Sequence, residues 1–257
     1  MTNPPHTGSP HGGSPNIAAW DRIAGKLSAE AGPADGVIRY GDDLATERDL
    51  RLLGTLEGKR VLELGCGTGH NAVALVHQGA KAIAIEPSEQ LAACARRFAE
   101  IEQVRIEVRS GDLADLAFLR AETVDVAFSA GALGEVDDLD RVLRQVHRVL
   151  RPNGVFVCAM PHPFALCVAR DATAGGGPLP LGRIELVRSY LDGGPVTVER
   201  MGESFTLYVR PLSAMFAAFT RAGFDVDHLL ELAPETSADP GPALPTTVIW
   251  RARRLGL

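Results

Sequence analysis

Three glycines fall within five positions of "VLELGCGTGHN", residues 61–71, directly behind an apolar run that carries Glu63. A loop built this way brings backbone unusually close to a ligand. A pyrophosphate fingerprint asks for glycine at the first, third and sixth positions after the strand. Here glycine holds the first, third and fifth, as Gly65, Gly67 and Gly69, and the sixth is His70, whose side chain would obstruct close helix–strand packing. Glu63 is a second objection, because a carboxylate at the lip of the loop repels a diphosphate and suits a ligand with positive charge. The pattern points to a ligand with a ribose, a cationic centre and no phosphates. Two more acids agree with it. Glu86 ends the next apolar run, where a carboxylate can accept from both ribose hydroxyls. Asp112, in "SGDLADL", is placed to accept from an adenine amino group while Leu113 covers the ring. Each acid alone is more ordinary as a solvated turn residue; in order behind successive strands of one sheet, the three together favour the ligand.

That order requires a particular set of elements. "RVLEL" (60–64), "KAIAIE" (81–86), "VRIEVR" (104–109), "TVDVAFS" (123–129) and "GVFVCAM" (154–160) are apolar runs of strand length. Helical patterns separate most of them. "HNAVALVHQ" runs to Gly79, and Ser88 is a natural N-cap for "EQLAACARRFAEI". "GDLADLAFLRA" predicts a turn and a short helix. "DDLDRVLRQVHRVL" sets Leu139, Val142, Leu143, Val146, Val149 and Leu150 on one face. Five strands joined in this way predict right-handed βαβ units and a parallel sheet covered on both sides.

Around this alternation the chain divides into a disordered tail (1–15), an N-terminal helical cap (16–56) and a core (57–257). The cap is expected to hold two helices, in "AAWDRIAGKL" and "LATERDLRLLGTL". From Pro161 the rhythm breaks, and 161–211 reads as an insertion beside the carboxyl ends of the strands, where open α/β sheets take their ligands. Its glycine run is expected to be mobile, and "IELVRSYLDGG" and "VTVERMGESFTLYVR" to be extended. "PLSAMFAAFTRAGF" reads as a helix, and "DVDHLLELA" with "TTVIWRARR" as a closing hairpin on the sheet edge.

Composition narrows the partners. With 257 residues, 46% hydrophobic, 23% charged and a net charge of −6, the chain has the balance of a globular domain and no broad basic footprint. A small-molecule substrate is expected, with no nucleic acid and no membrane, in a monomer or homodimer. No apolar run approaches the roughly 18 residues of a bilayer span, and the first residues lack the basic and apolar regions of a signal peptide. Cys66, Cys94, Cys158 and Cys167 form no CxxC pair and no metal spacing, so a reducing cytoplasm and no metal are expected. Cys66 reads as a small side chain tolerated in the loop.

"VLELGCGTG", "AIEPSEQL", "SGDLADL" and "DVAFSAGALGEVDDLDRVLRQVHRVLRPNG" together resemble a class I S-adenosylmethionine-dependent methyltransferase, of the bacterial small-molecule group related to the quinone-biosynthesis methyltransferases. The resemblance implies a Rossmann-like, doubly wound α/β sheet of seven strands, the last antiparallel, with S-adenosyl-L-methionine above the strand ends. It implies methyl transfer to a small molecule through an oxygen, nitrogen or carbon nucleophile. By position, Gly65, Cys66 and Gly67 would line the methionine and ribose moiety, beside Glu63, and Glu86 would bind the ribose. Pro87 and Leu91 would lie beside the adenine, with Asp112 and Leu113 at its amino edge. Ser129 and Ala130 would sit under the methionyl portion, and Tyr40 would reach the cofactor carboxylate. The match departs at Gly134, where relatives often carry His.

Methyl transfer needs a base only if the acceptor must lose a proton. His162, in "MPHPF", stands at the rim where an acceptor should lie and is the candidate; the plainer reading is a turn histidine bonded to backbone between two prolines. His147 reads as packing, and Tyr190 and Tyr208 as packing or pocket wall. Two other functions fit the same motifs, since none of them touches the acceptor. One is different chemistry on adenosylmethionine, such as cyclisation or assisted decarboxylation; the other is a non-catalytic binding module. An NAD-dependent enzyme is opposed by His70 and Glu63.

Overall fold

The computed structural model describes residues 15–42, 44–168, 185–234 and 244–256. After helix α1 (Ile17–Glu30) and the single turn α2 (Glu47–Leu50) come β1 (Arg60–Leu64), α3 (His70–His77), β2 (Lys81–Glu86), α4 (Glu89–Ile101), β3 (Glu107–Ser110), β4 (Val124–Ala130), α5 (Leu139–Val149) and β5 (Leu150–Pro161). Then follow β6 (Gly194–Arg200), β7 (Glu203–Val209), α6 (Leu212–Arg221), β8 (Phe224–Leu232) and β9 (Thr247–Arg254). Seven strands form one sheet in the order β3-β2-β1-β4-β5-β9-β8. The pairs among the first five are parallel, and β9 runs antiparallel to both neighbours. This is the seven-stranded sheet with an antiparallel last strand that the resemblance implied.

Alternation along each central strand builds a core on both faces. Leu62, Leu64, Ala127, Phe156, Cys158 and Trp250 join α5 and α6 on one side. Val61, Val126, Phe128, Val157 and Ile249 join Leu75 of α3 and Leu52, Leu53 and Leu56 on the other. The apolar face read for α5 is buried throughout. Ser88 caps α4 as expected, its Oγ accepting the Leu91 N–H at 3.1 Å. Gly69, with φ +93°, lets α3 come close to α4: a Cβ there would lie 3.0 Å from the Cα of Ala95. His70 does not obstruct this packing, because its ring turns outward to stack on Phe98 with centroids 4.1 Å apart.

Four local expectations change. The second cap helix shrinks to α2, because Arg51 takes a left-handed conformation (φ +53°) immediately after it. No helix follows Asp112; the turns there have their carbonyls held from α5, Arg148 donating to Leu116 O at 2.8 Å and Leu119 O at 2.9 Å. In "IELVRSYLDGG" the described residues before β6 make one isolated bridge, Leu186 to Val168, instead of a strand. The third strand begins later, at Glu107, and the fifth earlier, at Leu150. β6 and β7 pair as a hairpin of their own, outside the main sheet. The expected disordered tail, apart from its last residue, and the glycine run at 175–177 lie outside the described residues. Among the described residues no helix is long and apolar enough to cross a membrane.

Candidate functional site

The parallel strands β1 to β4 all end on one rim, and the loops leaving them converge there. Gly65 opens the first loop with φ +74°, its N–H donating to Ile85 O at 2.8 Å. A Cβ at Gly65 would lie 2.1 Å from the Cβ of Ala132, so this glycine is required by packing against the turn after β4. Gly67 differs. It also has positive φ, +55°, but nothing stands within 4 Å of where its Cβ would be. Its N–H donates to Oε2 of Glu86 at 2.9 Å. The other oxygen of Glu86 accepts the Ser88 N–H at 3.0 Å.

Both acids on adjacent strand ends are buried. Glu86 is 5% exposed, and burial pushes its carboxyl up to about 7, against the pull of the Ser88 and Gly67 N–H groups and with the added repulsion of Glu135 and Asp21. Glu63 is 2% exposed and is pushed up to about 8, by burial first and by the charge of Glu86 second. Its Oε2 is buried with no hydrogen-bond partner among the described residues. A buried acceptor left without a donor costs on the order of 1–3 kcal/mol, so the pair is arranged for donors or positive charge brought by something else. Cys66, between them, is buried and its thiol is held well above the usual range by burial, then by Glu63 and Glu86. It is a neutral packing group here.

The remaining expected residues fall at various distances from this centre. Leu113 is buried against the loop, its Cδ1 4.0 Å from the Cβ position of Gly65. Asp112 closes its own turn by accepting the Ala114 N–H at 2.9 Å, and with Ile85, Gly111 and Phe118 it lines an opening beside the sheet edge. Leu91 is buried and Pro87 half-buried at the start of α4. Ser129 is buried with its hydroxyl donating to Leu64 O at 2.8 Å, which ties β4 to β1; Ala130 ends β4, half-buried.

Two expected residues are employed elsewhere. Tyr40 is buried edge-on to Phe128 and its hydroxyl donates to Glu47, which also accepts the N–H groups of Leu52 and Leu53. The hydroxyl expected to reach a ligand carboxylate is engaged in this core bond. His162 is also buried, at 3% exposure. Its Nδ1 accepts the Phe164 N–H at 3.2 Å, which places the ring proton on Nε2, 2.7 Å from Oε1 of Glu231. A base needs a free lone pair, and the one on this ring is taken. The ring is thus bonded to backbone on one nitrogen and to Glu231 on the other.

Sequence reasoning missed Glu135, Asn16, Trp20 and Asp21. Glu135, in the turn after β4, is 7% exposed and accepts from Asn16 Nδ2 at 2.7 Å and from Trp20 Nε1 at 2.8 Å. Asp21 accepts the Ser88 hydroxyl at 2.5 Å. "GEVDD" marks an acidic turn but carries no signal for which acid faces inward. Gly134 has a reason in packing: a Cβ there would stand 2.9 Å from Cδ of Pro161. A histidine has no room at that position.

Comparison with known proteins agrees with this geometry. Residues 62–158 match a family model described as a methyltransferase domain. A ubiquinone biosynthesis O-methyltransferase of Azorhizobium caulinodans is 30% identical over 109 residues, 42% of this chain and 43% of that protein. A malonyl-[acyl-carrier protein] O-methyltransferase of Pectobacterium atrosepticum is 33% identical over 113 residues, 44% of this chain and 43% of that one. The chain thus spans less than half the length of these curated relatives. The crystal structure of an S-adenosylmethionine dependent methyltransferase from Mesorhizobium loti superposes with a TM-score of 0.65 at 28% identity, covering 80% of this chain and 95% of that one.

Proposed function

We propose, from the premise that the chain belongs to the class I S-adenosylmethionine-dependent methyltransferases, that it transfers a methyl group from S-adenosyl-L-methionine to a small molecule. The observation that carries the reading is the buried pair Glu63 and Glu86, one of them with an oxygen lacking a donor, around a loop whose Gly67 faces open space. A diphosphate meets repulsion there. A nucleoside bearing an ammonium and a sulfonium brings the donors and the positive charge that this site lacks.

In this reading Glu86 accepts from the ribose hydroxyls with the lone pairs that Gly67 and Ser88 leave over. Gly65, Cys66 and Gly67 form the floor under the ribose and methionyl portion, and Glu63 answers its positive charge. Pro87 and Leu91 flank the adenine, Asp112 and Leu113 meet its amino edge, and Ser129 and Ala130 support the methionyl side from β4. Tyr40 acts one step back, holding Glu47 and with it the backbone at Leu52 and Leu53. The cofactor supplies a methyl group on a good leaving group. The protein's own part is to orient the two reactants and exclude water, effects that carry most of the acceleration when alignment is close. His162 serves as a positioning residue of the rim, joining the end of β5 to β8.

The test has two parts. Calorimetry is expected to show binding of S-adenosylhomocysteine and no comparable binding of NAD; the reverse overturns the cofactor. Incubating the protein with S-adenosylmethionine and a metabolite extract is expected to yield a compound heavier by one methyl group. Consumption of the cofactor with a new product lacking that gain points instead to different chemistry on adenosylmethionine, and binding without any consumption to a non-catalytic module.

A further inference from the structure

Phe205 of β7 has no place in the two clusters that cover the faces of the sheet. It is buried against Ala19 and Ile23 of α1 in a small core of its own, with Trp20, Leu27 and Val198 around it. Trp20 and Phe205 have ring centroids 4.5 Å apart. Polar bonds reinforce the same seam. The side chain of Asn16 donates to Thr206 O at 2.9 Å and accepts the Thr206 N–H at 2.7 Å, in the manner of an added strand residue. At the turn end of the hairpin Glu203 pairs with Arg22 at 2.6 Å.

The other end of the hairpin is built differently. β6 is entered through Gly193 and Gly194, both in the left-handed region at φ +61° and +92°, and β7 is left through Arg210 and Pro211. Arg210 donates to the carbonyls of Val136 and Asp137, and Arg188 donates to Gly193 O at 2.5 Å. Consecutive glycines free of Cβ restraint are where a hinge costs least. Between hinge and seam the hairpin crosses the strand ends: Leu207 Cδ2 lies 3.9 Å from the Cβ position of Gly134, after β4. α1 itself is held on α4, where Asp21 meets Ser88 and Gln90 and Cys94 Sγ lies 3.9 Å from Ala24 O. Asp21 of α1 and Glu135, which holds Asn16 and Trp20, stand near enough to Glu86 to repel its charge, and Glu63 and Glu86 are almost wholly buried near the strand ends.

We propose that the β6–β7 hairpin is a flap over the cofactor and acceptor site, hinged at Gly193–Gly194 and latched on α1 through Asn16, Trp20 and Arg22, and that the latch must part for a ligand to enter or leave. Glu135 is the fixed point of the latch, since its carboxylate holds both Asn16 and Trp20 to the turn after β4. The flap rests on the cofactor reading given above for what passes beneath it. The seam is small, three buried side chains and a few polar bonds, which suits an element that opens in each catalytic cycle.

The experiment joins the flap to α1 by a reversible cross-link, in the double variant Arg22→Cys/Glu203→Cys, and follows exchange of S-adenosylhomocysteine. Both positions lie at the protein surface, so the reduced variant controls for folding. Cross-linking is expected to slow association and dissociation at least about tenfold, with recovery on reduction, as for a gated site. Asn16→Ala, which loosens the latch, is expected to speed dissociation. Trp20 and Trp250 are the two tryptophans of the chain, so in Trp250→Phe acrylamide quenching reads Trp20 alone and is expected to fall on cross-linking, with no ligand needed. Binding with exchange rates indifferent to the cross-link overturns the flap. Loss of S-adenosylhomocysteine binding in the unlinked wild type overturns the cofactor reading, and quenching unchanged by the cross-link then overturns the flap independently.

Discussion

Nε2 of His162 lies 2.7 Å from Oε1 of Glu231, so the residue after β5 is bonded across to β8. Its other nitrogen accepts the Phe164 N–H. His162→Ala is therefore expected to keep its affinity for S-adenosylhomocysteine and to lose about 1–3 kcal/mol of stability, the cost of leaving the Phe164 N–H without its acceptor. Denaturant unfolding and calorimetry on the same variant check this. A variant of unchanged stability with lost turnover and an altered pH profile restores His162 as the base.

Glu86 has the opposite expectation. In the proposed site its carboxylate binds the ribose and also holds Gly67, so Glu86→Ala should weaken cofactor binding by about 1.5–3 kcal/mol, the scale of hydrogen bonds to a charged group. Removing the carboxyl relieves its burial but leaves the Gly67 and Ser88 N–H groups without their acceptor, so the variant is also expected to lose stability. Wild-type affinity in this variant means that the ribose is read elsewhere.

The glycines of the loop separate by role. Gly65→Ala forces a Cβ into Ala132 and should destabilise the fold, whereas Gly67→Ala meets open space in the free protein. The second variant carries only the conformational cost of an L-residue at positive φ, about 1–2 kcal/mol. It is expected to stay folded and lose binding, because the added methyl stands where the ligand approaches. Melting curves with and without S-adenosylhomocysteine distinguish the two; equal losses of stability in both variants refute the distinction.

Acid–base behaviour follows from the two buried carboxyls. Burial pushes Glu63 up to about 8 and Glu86 up to about 7 in the folded protein, against an ordinary value of 4.5. Across that interval the folded state holds protons that the unfolded chain has released, so stability falls as pH rises from about 4.5 to about 8. His147, which burial pushes below its ordinary 6.5, works the other way, but its contribution is complete above that value. Between about pH 7 and about pH 8.5 the free protein should melt progressively lower, and Glu63→Gln should flatten the trend. Affinity for the cationic cofactor runs in the opposite sense and rises over the same window, because it favours the ionised pair. Calorimetry of S-adenosylmethionine at several pH values reads it; an affinity that falls with pH contradicts the electrostatic role of Glu63.

The amino-acid sequence by itself determined the sheet and the kind of ligand. Apolar runs of strand length, the first meeting a glycine and the second ending in an acid, are local patterns, and burial on two faces directs them into one sheet. Glu63 beside the glycine loop pointed to a ligand of positive charge before any fold was known, since attraction between unlike charges needs only their proximity, whereas the packing objection drawn from His70 did not hold. What the tertiary structure decided were the partners that act over long separations in the chain. His162 meets Glu231, Tyr40 turns to Glu47, and Glu135 gathers Asn16 and Trp20 from 119 and 115 residues away. A polar side chain takes whichever donor or acceptor burial brings within about 3 Å, and that choice is made by packing, not by the neighbours in sequence. The insertion shows the same division: its break in rhythm is legible from Pro161 onward, but only the fold seats Phe205 on α1, in a core apart from the sheet.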